Sequence, residues 1–168
     1  MRAIVTARPG SDDEVELVDL PDPRPAAGQI CIRMAGAAVN AADLHIIDGS
    51  RENAAPRLGL GLDVAGVVDM VGPGVRDLAV GMPVAALTFP HAPHAVAGTA
   101  AEYVIVPAED ATPVPYGVEL LDAATVPLNS LTAARLLALL GPPQGRRLRG
   151  RARRTRRLES HRARPHDG

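Results

Sequence analysis

Lysine and tryptophan are absent from this 168-residue chain, cysteine occurs once, and the aromatic residues are only Phe89, Tyr103 and Tyr116. The lone thiol, Cys31, excludes an internal disulfide and any cysteine-rich zinc module. It lies within the apolar alternation Ile30, Ile32, Met34, where a small buried structural thiol is the ordinary reading and a nucleophile the rare one. With so few rings, the 46% hydrophobic content comes mainly from Ala, Val and Leu, so any core is built from small aliphatic side chains. No apolar run is long enough to span a membrane, and the first twelve residues lack the apolar centre of a signal peptide. The expectation is a soluble, cytoplasmic protein with room for one ordinary domain.

Without lysine, all 18 basic residues are arginine, and they are unevenly placed. Residues 1–145 hold 8 Arg against 17 acidic residues, a net −9, whereas residues 146–168 hold 10 Arg against Glu159 and Asp167, a net +8. Such a reversal of sign marks a segment apart from the rest.

What is present reads as short strands cut by Gly and Pro. Residues 1–7 and 14–20 are expected strands separated by the turn Pro9-Gly10-Ser11-Asp12. The Pro-rich segment from Pro21 to Pro25 forbids helix and leads into residues 28–40, which begin with the alternation of a half-buried strand. Residues 41–48 suit a helical turn or two. An irregular stretch through Pro56 precedes a Gly/Val-rich strand pair over 59–71, bent at Gly72-Pro73-Gly74. Residues 80–88 and 100–107 supply further strands around a Pro, Ala and His loop. From Glu119 the period becomes helical, predicting two short helices around Pro127, the second ended by Gly141-Pro142-Pro143. The predicted class is mostly β with short helices, a small barrel or sandwich.

Four stretches in order carry a family likeness: Ala35-Gly36-Ala37-Ala38-Val39-Asn40-Ala41-Ala42-Asp43-Leu44, Leu60-Gly61-Leu62-Asp63-Val64-Ala65-Gly66-Val67-Val68, Val71-Gly72-Pro73-Gly74-Val75 and Gly98-Thr99-Ala100-Ala101-Glu102-Tyr103-Val104. Pro127-Leu128-Asn129-Ser130-Leu131-Thr132-Ala133 then opens the final helix. Together they resemble the N-terminal GroES-like catalytic domain of zinc-independent medium-chain dehydrogenases/reductases, the quinone oxidoreductases and enoyl reductases, over about 140 residues. The resemblance implies a GroES-like barrel over residues 1–125 and a connecting helix over 126–145. The doubly wound nucleotide-binding domain of those relatives is not recognisable in the sequence. It also implies NADPH or NADH as cofactor and a small quinone or enone as substrate.

The resemblance places Asn40 beside the nicotinamide and substrate, although Asn40 and Asp43 both also suit capping of the short helix. His45 lies where several relatives carry Tyr and is a candidate proton donor; its plainer reading is a partly exposed helix residue. Asn129 and Thr132 are the cofactor-facing candidates, and Thr132 equally suits a bond back to an earlier helical carbonyl. No metal site is expected. Zinc-dependent relatives carry Cys at the position of Asn40 and His at that of Leu62, and neither replacement is a serviceable ligand. His91 and His94, in their loop, fall short of the three or four ligands zinc needs. The chain also departs from its relatives after Val80-Gly81, where Met82-Pro83-Val84 replaces the usual Asp-Arg-Val.

Beyond residue 146 the sequence has neither an apolar strand nor a glycine-rich phosphate-binding turn. Residues 146–168 therefore read as an Arg-rich disordered tail, with three explanations open: a shifted or truncated reading frame, a basic arm, or a solvated extension. Nucleic acid is a poor fit, since the tail offers no aromatic for stacking. The chain alone is expected to bind no cofactor tightly and to tend to self-association. The rival functional class is a non-catalytic GroES-like binding or assembly module with a basic tail.

Overall fold

The computed structural model describes residues 1–6, 15–48, 58–89 and 97–141. The turn at Pro9–Asp12, the stretch through Pro56, the His91/His94 loop and the Arg-rich tail lie outside the described residues. In chain order the elements are β1 (Arg2–Thr6), β2 (Val15–Asp19), β3 (Gln29–Ala38), α1 (Ala41–Ile47), β4 (Leu58–Gly59), β5 (Asp63–Val71), β6 (Pro83–Leu87), β7 (Tyr103–Pro107), a 3-10 turn at Ala108–Asp110, β8 (Ala111–Pro113), α2 (Leu120–Ala123) and α3 (Pro127–Leu140). The short strand β8 and the 3-10 turn before it are additions to the pattern read from sequence.

All strand pairs are antiparallel, in a three-stranded sheet ordered β2-β1-β4 and a five-stranded sheet ordered β7-β3-β5-β6-β8. The residues just before β7 join the two sheets: Ile4 N–H donates to Ala100 O at 2.8 Å, Glu102 N–H to Arg2 O at 3.0 Å and Met34 N–H to Glu102 O at 3.0 Å. The β3–β5 ladder slips twice, between Cys31 and Ile32 and between Met34 and Gly36. Each bulge adds twist, which curls the long pair around the core.

That core comprises Ile30, Ile32, Val64, Val68, Val84, Val104 and Val106, with Leu78 closing one side. Its small aliphatic character follows from the scarcity of aromatics. β3 departs from the simple half-buried pattern, because Ile30, Cys31 and Ile32 are all fully buried. Like β5 and β6, it is bonded on both edges, here by β5 and β7, and its early part is buried on both faces up to Arg33, which is exposed with Nε 3.8 Å from Asp69 Oδ1. Close approach of Gly59 and Gly98 is equally necessary, since a Cβ on either would collide with backbone of the other's segment.

Pro127 begins α3 at its first turn, where its missing N–H costs nothing. No residue of α3 is fully buried, and Leu136, Leu137, Leu139 and Leu140 are 55–84% exposed. Among the described residues, no helix is long and apolar enough to cross a membrane.

Candidate active site

The turn from β3 into α1 builds the site. Asn40 has extended backbone angles (φ −117°, ψ 159°) and caps α1. Asp43, in the third helical position, reaches back so that its Oδ2 accepts the Asn40 N–H at 2.7 Å. Its Oδ1 accepts the Gly61 N–H at 2.8 Å, tying the start of α1 to the loop before β5. Asp43 therefore closes the helical turn, as its spacing allowed, and also joins two segments; it is buried because both oxygens are satisfied. Gly61 presents this N–H from φ +87°, a left-handed conformation in which a Cβ would also strike the Thr99 hydroxyl.

Asn40 is committed through its side chain as well. Its Nδ2 donates to Asp63 Oδ2 at 2.8 Å, while Asp63 Oδ1 accepts the backbone N–H of Leu128 at 2.6 Å. Asp63 is fully buried at the start of β5. One carboxylate thus spans the residue proposed to meet substrate and the first turn of α3, where the helix dipole also favours negative charge. Sequence reasoning did not single out Asp63 as a site residue. The signal available was an acid inside the apolar run Gly61-Leu62-Asp63-Val64-Ala65, since a charge buried there must find hydrogen-bond donors.

The other candidates are placed differently. His45 is on the exposed part of α1, with Nδ1 3.6 Å from Asp48 Oδ2. On α3, Asn129 Nδ2 donates to Thr125 O at 2.8 Å and Thr132 Oγ1 to Leu128 O at 2.8 Å. Both side chains are exposed and bond back to their own helical segment. The structure therefore gathers Asn40, Asp43 and Asp63 with the start of α3, while His45 lies beside Asp48, and Asn129 and Thr132 bond to Thr125 and Leu128.

Two cavities border this region. One of about 510 Å³ is almost wholly apolar and lies behind α1, walled by Met34, Ala37, Val39, Leu44, Ile47 and Leu60, with Asp43 also contributing. Arg2 and Glu102 line it too; Arg2 Nη2 lies 2.7 Å from Glu102 Oε1, and the Arg2 backbone N–H donates to Oε2 at 2.8 Å. Those bonds hold the Glu102 carboxyl below the usual carboxylate range and raise the Arg2 guanidinium in turn. The other, of about 530 Å³, lies between β6, β8 and α3 and includes Leu87, Val114, Pro127, Ser130 and Leu131.

Leu62 is buried and offers no donor atom, Asn40 donates through Nδ2 to Asp63, and no three His, Cys, Asp or Glu side chains converge among the described residues. Cys31 is fully buried, and burial first, then Asp69 and Asp22, push its thiol up to about 11. A thiol so disposed is neither ligand nor nucleophile near neutral pH.

Residues 26–116 match the alcohol dehydrogenase GroES-like domain. The chain belongs to that family. This GroES-like domain is 33% identical over 133 residues to a probable quinone oxidoreductase of Leishmania amazonensis, covering 78% of this chain and 36% of that one. It is 30% identical over 139 residues to a mouse synaptic vesicle membrane protein VAT-1 homolog-like protein, covering 82% and 31%. Among solved structures, a mycobacterial protein complexed with NADPH superposes with a TM-score of 0.74 at 31% identity, covering 84% of this chain and 42% of that one. A cobalt- and zinc-bound alcohol dehydrogenase from Pyrobaculum aerophilum superposes with a TM-score of 0.67 at 30% identity, covering 80% and 46%. The chain thus spans between about a third and just under half of the length of these relatives.

Proposed function

We propose that this chain is the substrate- and nicotinamide-facing part of an NAD(P)H-dependent, zinc-independent reductase of quinones or activated alkenes. The observation that supports this reading is the Asn40–Asp63–Leu128 connection, which fixes the Asn40 amide against the first turn of α3. The bound cofactor would supply hydride. This chain's own groups would orient and polarise: Asn40 through the second N–H of Nδ2, the first being given to Asp63, towards the substrate oxygen, and Asn129 and Thr132 towards the nicotinamide amide. Both of those α3 side chains are exposed, so the hydroxyl of Thr132 can exchange its bond to Leu128 O for one to a ligand. His45, exposed on α1, is the candidate proton source.

Residues 1–125 act in this reading as the catalytic barrel and 126–145 as the connection to a nucleotide-binding region. Titrating NADPH into the isotopically labelled chain tests it by nuclear magnetic resonance. Weak, millimolar binding that shifts the signals of Asn40, Asn129 and Thr132 is expected, because nicotinamide contacts alone are too few for tight binding. Shifts elsewhere, or none, would move the reading to a binding or assembly module. Elemental analysis gives an independent check: about one zinc per chain surviving chelator treatment would defeat the zinc-independent assignment.

A further inference from the structure

We propose that Asp63 is a positioning residue that sets the orientation of the Asn40 amide and holds the first turn of α3 in register with it; the functional meaning of this rests on the reading above. Asp63 is 0% exposed, and its two oxygens have different duties: Oδ2 accepts from Asn40 Nδ2 at 2.8 Å and Oδ1 from Leu128 N–H at 2.6 Å. These partners are 23 and 65 positions away in the chain, so one side chain links three separate segments: the β3–α1 turn, the start of β5 and the start of α3.

The orientation follows from hydrogen-bond inventory. An ionised carboxyl group only accepts, so it selects the NH₂ end of the Asn40 amide and turns the carbonyl end away. With a neutral residue here the amide could flip, and a substrate would meet a donor or an acceptor indifferently. Asp43 fixes the backbone of the same residue by accepting its N–H. Asn40 is therefore constrained at both main chain and side chain by two buried acids, and α3 is tied to that constraint through Leu128. The nearest helical residues beyond Leu128 that carry polar side chains are Asn129, Ser130 and Thr132. A shift of α3 against the barrel would consequently be felt at Asn40 through one carboxylate.

The test exchanges donor and acceptor. In Asp63→Asn the single side-chain oxygen can serve either Asn40 Nδ2 or the Leu128 N–H, while its own NH₂ opposes the other donor. In Asn40→Asp two carboxylates face each other. The double variant Asn40→Asp/Asp63→Asn restores both bonds, because the amide now at position 63 donates to the carboxylate at position 40 and its oxygen still accepts from Leu128. In the labelled 168-residue chain, Asp63→Asn should speed amide exchange at Leu128 about tenfold and shift the Asn40 side-chain NH₂ signals, with Val64 and Val68 still protected. The double variant should return Leu128 protection to within about threefold of the parent, since both hydrogen bonds are rebuilt, the one between positions 40 and 63 still charge-assisted and the one from Leu128 N–H now made to a neutral amide oxygen. Recovery in the double variant is something that mere filling of space at position 63 would not produce.

Unchanged Leu128 and Asn40 signals in Asp63→Asn overturn the proposal. So does a double variant no better than Asp63→Asn, whether the deficit is in protection or in folding itself. With NADPH as probe, the parent should show linked shifts at Asn40 and along α3, and Asp63→Asn should uncouple them. NADPH that moves none of these signals in the parent counts against the proposed function alone, and the donor–acceptor exchange still decides the role of Asp63.

Discussion

Cys31 is fully buried with its thiol raised to about 11, which makes the stability of the fold sensitive to alkaline conditions. The folded state favours the neutral thiol, whereas an unfolded chain ionises it from about pH 8.5. Its contribution to stability is therefore complete below that pH and declines as pH rises towards 11. Thermal unfolding followed at pH 8 and pH 10 should show a loss that Cys31→Ala reduces, although that variant starts lower through the cavity it leaves. Aromatic disulfide reagents should leave the native thiol untouched and titrate one thiol per chain in denaturant. Among core residues, Val64→Ala and Ile32→Val should each cost about 1–2 kcal/mol in denaturant unfolding, since both side chains are 0% exposed. Leu139→Ala, at a position 84% exposed, should cost little, and an equal cost at all three would mean that the core has been misidentified.

The elements that shape the site depend on backbone features more than on side-chain bulk. At the β4–β5 junction, Gly61 uses a left-handed φ of +87° and donates to Asp43. Gly61→Ala should therefore destabilise the chain by roughly 1–3 kcal/mol, from strain at positive φ plus the collision with Thr99. The expected sign of damage is loss of the Asn40 and Gly61 amide protection before that of β3. Retention of full protection at Gly61 would show that the loop can relax without losing Asp43. The helical period read from Glu119 onward is realised as α2 and α3 with Pro127 at the break, as its sequence pattern required. The strand alternation at Ile30–Met34 was less informative, because periodicity cannot tell that neighbours on both edges and cover on both faces will bury Cys31 too.

For the whole molecule, the apolar surface of α3 dominates behaviour. Leu136, Leu137, Leu139 and Leu140 form a contiguous exposed run that water does not favour. Self-association at high concentration is expected, and Leu137→Glu/Leu140→Glu should reduce it in sedimentation velocity without lowering the unfolding midpoint. A monodisperse parent chain at those concentrations would contradict this.

From the sequence alone came the mostly β class, the approximate strand and helix order, the family likeness and Asn40 as a candidate residue. Each rests on local signals: Gly and Pro punctuation, short apolar alternations, a cap pattern at Asn40–Asp43 and an ordered set of motifs. The short β8 escaped that reading because three residues carry no period of their own; pairing with β6 creates the strand. The cavity behind α1 escaped it because its walls come from both sheets and the helix. Asp63 was visible only as an acid out of place in an apolar segment. Its partners are 23 and 65 residues distant, and no local pattern encodes which donors will satisfy a buried carboxylate. Tertiary structure decided that, because burial removes water as the alternative partner and leaves the Asn40 amide and the Leu128 N–H to complete its hydrogen bonding.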